Sequence, residues 1–138
     1  LIAILAGSRA LELKYIAPKI GAAIKLLRAQ HPDWKFVAAV PPGREASTHK
    51  ALENVQIAEN RSAELLMACD AAIVKSGTST LEAAVAGAPQ VVVYDGPAAM
   101  RWQAKLMGVR GRVPFVAMPN ILLQRKTVTE LLGEDCMP

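Results

Sequence analysis

The chain has 138 residues, 52% of them hydrophobic and 20% charged, a balance that excludes a disordered polypeptide and suits one domain with its own core. A net charge of +4 and a pI near 9.3 favour an anionic partner without saying which one. Nucleic acid is not expected, because aromatic residues make up only 4% and no basic run is interleaved with the aromatics that stack on bases.

Leu1 to Leu5 (L-I-A-I-L) reads as a buried strand entered with no lead-in, so the chain is expected to be a piece of a longer protein. The turn Ala6-Gly7-Ser8 ends it. From Arg9 to about Gln30, Leu13, Ile16, Ala17, Ile20, Ala23, Ile24 and Leu27 recur every third or fourth residue and predict an amphipathic helix. Pro18 falls inside it and should cost or kink something. Trp34 to Val40 reads as the second strand, residues 44 to 54 as a short helix, and Val55 to Ala58 as a short strand. A helix over Ser62 to Ala68, with Ser62 as its N-cap, precedes a strand over Ala71 to Val74. Next come a helix from Ser79 to Ala86, stopped by Gly87, and the valine-rich strand Gln90 to Tyr94. A helix over Ala98 to Met107, a strand over Val113 to Ala117 and a last helix over Thr127 to Leu132 complete the expectation.

Short apolar strands alternating with helices predict an α/β domain, a doubly wound parallel sheet covered on both faces. No apolar stretch approaches the roughly 20 residues that span a bilayer. In such a sheet a ligand lies beyond the carboxyl ends of the strands, so the turns to inspect are Gly7 to Arg9, Ser76 to Thr80 and Asp95 to Pro97. The dinucleotide fingerprint, the P-loop and the nucleophile elbow are all absent. Cys69 and Cys136 sit in no metal-binding or C-x-x-C spacing and read as incidental thiols in a reducing compartment. His31 and His49 read as ordinary exposed side chains. No metal and no cofactor is expected.

Two turns remain. Gly7-Ser8-Arg9 offers backbone N–H groups, a hydroxyl and a guanidinium, and Ser76-Gly77-Thr78 repeats the device on a later strand. Each also serves as a plain helix start, and Ser79 and Glu82 stand in the S-x-x-E relation of a capping box. Two such turns on one sheet edge suit the two phosphates of a diphosphate. Glu82, one helical turn further on, can accept from a sugar diol.

I-L-A-G-S-R-A-L-E, then K-S-G-T-S-T-L-E-A-A-V-A-G-A-P-Q-V-V-V-Y, M-P-N-I-L-L-Q-R and V-T-E-L-L-G-E-D-C follow one another in the order and spacing of the bacterial lipid-A-disaccharide synthase family, which the whole chain resembles. The resemblance implies a glycosyltransferase B fold, of which residues 1 to 138 would be the Rossmann-like, UDP-sugar-binding donor domain, the catalytic base lying elsewhere. It implies a hexosyltransferase that joins UDP-2,3-diacylglucosamine to 2,3-diacylglucosamine 1-phosphate in lipid A assembly, releasing UDP. The partners it implies are the UDP-sugar donor, an acylated sugar phosphate acceptor and, peripherally, the inner face of the cytoplasmic membrane. By position, Gly7, Ser8, Arg9, Ser76, Gly77, Thr78, Glu82 and Asn120 would bind the nucleotide, with Arg9 also stabilising the leaving diphosphate as the catalytic residue. The chain departs from the family pattern at Ala6, Lys75, Asp95 and Gln124. Lys75 is expected either to reach the diphosphate or to pair with Asp95. The alternatives are a UDP-N-acetylglucosamine 2-epimerase or another UDP-sugar enzyme of the same fold, and a non-catalytic nucleotide-binding module. Met100, Trp102, Leu106 and Met107, with Arg101, Lys105, Arg110 and Arg112, read either as a core helix with a basic solvated face or as a face for an anionic membrane.

Overall fold

The computed structural model describes residues 1–43, 48, 50, 52, 54–97 and 115–137. It contains six strands in one sheet: β1 Ile2–Leu5, β2 Phe36–Val40, β3 Gln56–Glu59, β4 Ala71–Lys75, β5 Gln90–Tyr94 and β6 Thr129–Leu132. Their order is β3-β2-β1-β4-β5-β6, and every neighbouring pair is parallel. The chain therefore winds outward from β1 through β2 and β3, then returns to the other side of β1 and winds the opposite way. The expected doubly wound, Rossmann-like sheet is the fold observed.

The alternation of side chains along a strand divides the core in two. Ile2 and Ile4 of β1 join a cluster with Leu13, Ile16, Ile20 and Ile24 of helix α1, Ala10–Gln30. Ala3 and Leu5, one residue out of phase, join Leu65 and Leu66 of helix α2, Ser62–Ala68, and Ala83 of helix α3, Ser79–Val85, on the opposite face. A fourth helix, α4 over Met118–Leu123, packs beside α3. Pro18 does not interrupt α1. It lies on the exposed side, where water can take over the carbonyl that loses its N–H partner.

Three expectations need correction. Thr127 to Leu132 is not a helix, because Thr129–Leu132 pairs in parallel with Val91–Tyr94 as β6. Glu and Leu favour helix, but the open edge of β5 supplies hydrogen bonds that a four-residue segment cannot make by itself. Phe115 to Ala117 lies outside the sheet, while residues 113 and 114 of that expected strand fall outside the described residues. Ser62 opens α2 as a helical residue, with Arg61 at the N-cap position and no side-chain cap. The helix expected over Ala98 to Met107, the basic segment to Arg112, most of residues 44 to 54 and His49 lie outside the described residues.

Candidate functional site

The point where the winding reverses lies between β1 and β4, and the turns leaving these two strands face one another there. Between them is a cleft of about 470 Å³ whose lining includes Gly7, Ser8, Arg9, Ser76, Gly77, Thr78 and Glu82. Crevices at such reversals are where parallel α/β sheets bind ligands. The first strand contributes Gly7 at φ +99°, a conformation that L side chains avoid, and the fourth contributes Gly77 at φ +146°.

The Gly77 turn is open for ligation. The amides of Gly77, Thr78 and Ser79 donate to no described residue, and all three residues line the cleft, so consecutive N–H groups remain available there for an anion. Thr80, fully buried, holds the turn from behind: its hydroxyl donates to the Gly77 carbonyl at 2.7 Å and accepts from the Met118 amide at 3.1 Å. Ser76 is less available than its position suggests. Its amide donates to the Val93 carbonyl at 2.9 Å and its hydroxyl to the Val116 carbonyl at 3.0 Å.

The capping box expected from Ser79 and Glu82 does not form. Thr78 occupies the N-cap position in a helical conformation, with no side-chain cap. Glu82 is exposed at the cleft wall, and its carboxylate accepts no hydrogen bond from a described residue.

The Gly7 turn contains the residue that the sequence reading overlooked. Glu12 stands three positions after the N-cap Arg9 of α1, and its Oε2 accepts from the Ser8 amide at 3.2 Å and the Arg9 amide at 3.3 Å. A carboxylate is favourable there because it meets unpaired N–H groups and the positive end of the helix dipole. A Cβ on Gly7 would run into that oxygen, which gives the glycine a steric reason besides its φ. Lys75 Nζ lies 2.8 Å from Glu12 Oε1, and the Arg9 guanidinium lies 3.5 Å from the same oxygen. Burial pushes the Glu12 carboxyl up, but the Lys75 contact, the Arg9 amide and the two cations outweigh it and hold the pKa below the ordinary 4.5.

Lys75 accordingly does not pair with Asp95. Asp95 Oδ2 instead lies 2.8 Å from Lys19 Nζ on α1. The ring of Tyr94 also lies near Lys75, its centroid 6.0 Å from Nζ.

Asn120 lies outside the described cleft lining. It is fully buried, and its amide is spent within the fold. Nδ2 donates to the Val128 carbonyl at 2.9 Å and Glu130 Oε1 at 2.8 Å, while Oδ1 accepts from the amides of Thr127 and Val128 at 2.6 and 2.9 Å. Glu130 in turn accepts from the amides of Val116 and Ala117. Asn120 thus ties α4 to the start of β6, and it does not line the cleft. The spacing of Asn120 and Glu130 carries no motif, so only the tertiary pairing of β6 brings them together.

His31 stacks on Trp34 with ring centroids 4.1 Å apart, remote from the cleft lining. Cys69 and Cys136 are free thiols. Among the described residues no group of His, Cys, Asp or Glu is arranged to hold a metal ion, and no helix is long and apolar enough to cross a membrane.

A family model described as lipid-A-disaccharide synthetase matches residues 1–138. Among curated relatives, the lipid-A-disaccharide synthase of Anaeromyxobacter dehalogenans (strain 2CP-C) is 40% identical over 145 residues, covering 99% of this chain and 37% of the relative. That of Paraburkholderia xenovorans (strain LB400) is 38% identical over 146 residues, covering 100% of this chain and 36% of the relative. That of Verminephrobacter eiseniae (strain EF01-2) is 41% identical over 143 residues, covering 99% and 36%. The chain therefore spans little more than a third of the length of these relatives.

Proposed function

The chain belongs to the lipid-A-disaccharide synthetase family, and from that premise we propose that it is the donor-nucleotide domain of a glycosyltransferase joining UDP-2,3-diacylglucosamine to 2,3-diacylglucosamine 1-phosphate. The observation that carries this reading is the pair of opposed turns at the β1/β4 reversal, with unpaired amides at Gly77, Thr78 and Ser79 on one side and Arg9 on the other. When an acceptor hydroxyl forms its bond to the anomeric carbon, the bond to the diphosphate breaks and negative charge grows on the departing UDP. Fixed N–H groups and a guanidinium aimed at that charge stabilise the transition state more than the ground state. Arg9 suits this role because its side chain is 81% exposed and borders the cleft. In this reading Ser8 and Thr78 add hydroxyl contacts, Ser76 contributes as a lining group whose donors are already used, and Glu82 receives the ribose diol.

The acceptor side and the base that removes its proton would lie in the part of the relatives that this chain does not span. Acylated substrates make the inner face of the cytoplasmic membrane the proposed working place, with the protein peripheral to it.

The test is Glu82→Gln, titrated with UDP and with 2′,3′-dideoxy-UDP. The amide should weaken UDP binding by about tenfold, the worth of a hydrogen bond to a charged acceptor, and leave the dideoxy analogue's affinity unchanged. Equal affinity for UDP in parent and variant would refute the ribose assignment.

A further inference from the structure

Lys75 is the cation that the cleft does not hold freely. It sits at the carboxyl end of β4, beside the Gly77 turn, with its side chain 17% exposed. Glu12, 16% exposed, is anchored on the Ser8 and Arg9 amides and takes the ammonium at 2.8 Å. A Cβ built on Gly77 would lie 3.6 Å from Lys75 Nζ, so the ammonium stands within one contact of the turn whose amides are open. Arg9, Lys75, Glu12 and Glu82 bring two positive and two negative charges to the lining. The charges of the described lining residues therefore cancel, although the cleft faces a polyanion in the proposed function.

We propose that Glu12 is an internal competitor of the diphosphate for Lys75, so that nucleotide binding transfers the ammonium from the carboxylate to a phosphate. This inference rests on reading the cleft as a nucleotide-diphosphate site. The transfer is physically reasonable because Glu12 does not depend on Lys75 to stay in place: its second oxygen keeps the two amides of α1. Lys75, for its part, has a flexible stem and moves between acceptors at the cost of a rotamer change. Glu12 thereby spares a partly buried lysine from standing unpaired, and it lowers the affinity for any anion too weakly charged to take the lysine away. Glu12 is a positioning residue in this scheme, acting through Lys75.

The experiment is calorimetric titration of the chain and its Glu12→Gln, Lys75→Met and doubly substituted variants with UDP and with uridine, after thermal melts have established that each is folded. Glu12→Gln should bind UDP at least about threefold more tightly, since the lysine is released to the phosphate, and should bind uridine as the parent does. In the Lys75→Met background the same substitution should give no such gain. Unchanged or weaker UDP binding by folded Glu12→Gln overturns the inference, as does a gain that persists in full without Lys75, which would make Glu12 a simple repulsive charge. Should Glu12→Gln fail to fold, Lys75→Met decides: UDP affinity equal to the parent's overturns the inference, and a selective loss for UDP over uridine supports it. A parent chain that binds no UDP refutes the nucleotide reading itself, which separates that failure from the failure of the Glu12 inference.

Discussion

Lys19 on α1 and Asp95 just beyond β5 form an ion pair of 2.8 Å in which the carboxylate is 2% exposed and the lysine 25%. Asp95 also accepts from the Gly96 amide at 2.8 Å, and Lys19 donates to the Gly133 carbonyl at 3.2 Å. The pair joins the helix that follows β1 to the end of β5. It also removes Asp95 from the electrostatics of the cleft, whose lining does not include it.

The two halves of this pair are not equivalent. Lys19→Met removes a cation from a buried carboxylate and should cost on the order of 2 to 3 kcal/mol of unfolding free energy. Asp95→Asn leaves a lysine that can still reach water, so its cost should be smaller. Introduced into the Lys19→Met protein, Asp95→Asn should recover part of the loss. Urea unfolding of the four proteins checks the ordering, and equal costs for both single variants would show that burial of the carboxylate is not what makes the pair matter.

The pH dependence of stability carries the signature of Glu12. Its pKa is lower in the folded protein than the ordinary 4.5, so the unfolded chain binds the proton more readily in that window. Stability from this group is therefore present above about pH 4.5, the pKa of the free side chain, and is lost as pH falls through the lower, folded value. Among the described residues, the groups facing it are Lys75 on β4 and Arg9 at the start of α1. Glu12→Gln should flatten the acid limb of the stability curve relative to the parent, and superimposable limbs would contradict the assignment.

Asn120→Ala should be a folding variant and not a binding one. It removes a fully buried amide and strands the Thr127 and Val128 amides and the Val128 carbonyl, with a cost of roughly 3 kcal/mol or more. The UDP affinity of protein that remains folded should match the parent's. A selective loss of UDP binding with unchanged melting would return Asn120 to the nucleotide.

The contrast between Asn120 and Gly77 shows where the sequence was legible. The β1 and β4 turns could be read because short apolar runs followed by glycine mark the ends of buried parallel strands, and the reversal of winding brings those ends together. Asn120 was assigned by position within a motif, and a motif does not reveal that an amide is enclosed by the strand that follows it. That strand was itself hidden, since T-E-L-L has neither strict alternation nor β-branched density. Glu12 was within reach: an acidic residue three places after the chain enters α1 is a capping signal. The signal is masked because the N-cap residue is Arg9, not one of the small polar residues that usually announce a helix start. The same rule applied to Ser79 and Glu82 pointed to a box that the helical conformation of Thr78 displaces.

The central claim is that the cleft between the β1 and β4 turns receives a nucleotide diphosphate. Backbone amide shifts of the isotopically labelled chain, followed during a UDP titration, test it most directly. The amides of Gly77, Thr78 and Ser79 should shift together with Arg9, saturably and with one dissociation constant, while the buried amide protons of Asn120 stay where they are. Saturable shifts confined to the apolar groove of about 250 Å³ lined by Trp34, Ile73 and Val91 on the α1 side, or no shift at all in excess UDP, would contradict it.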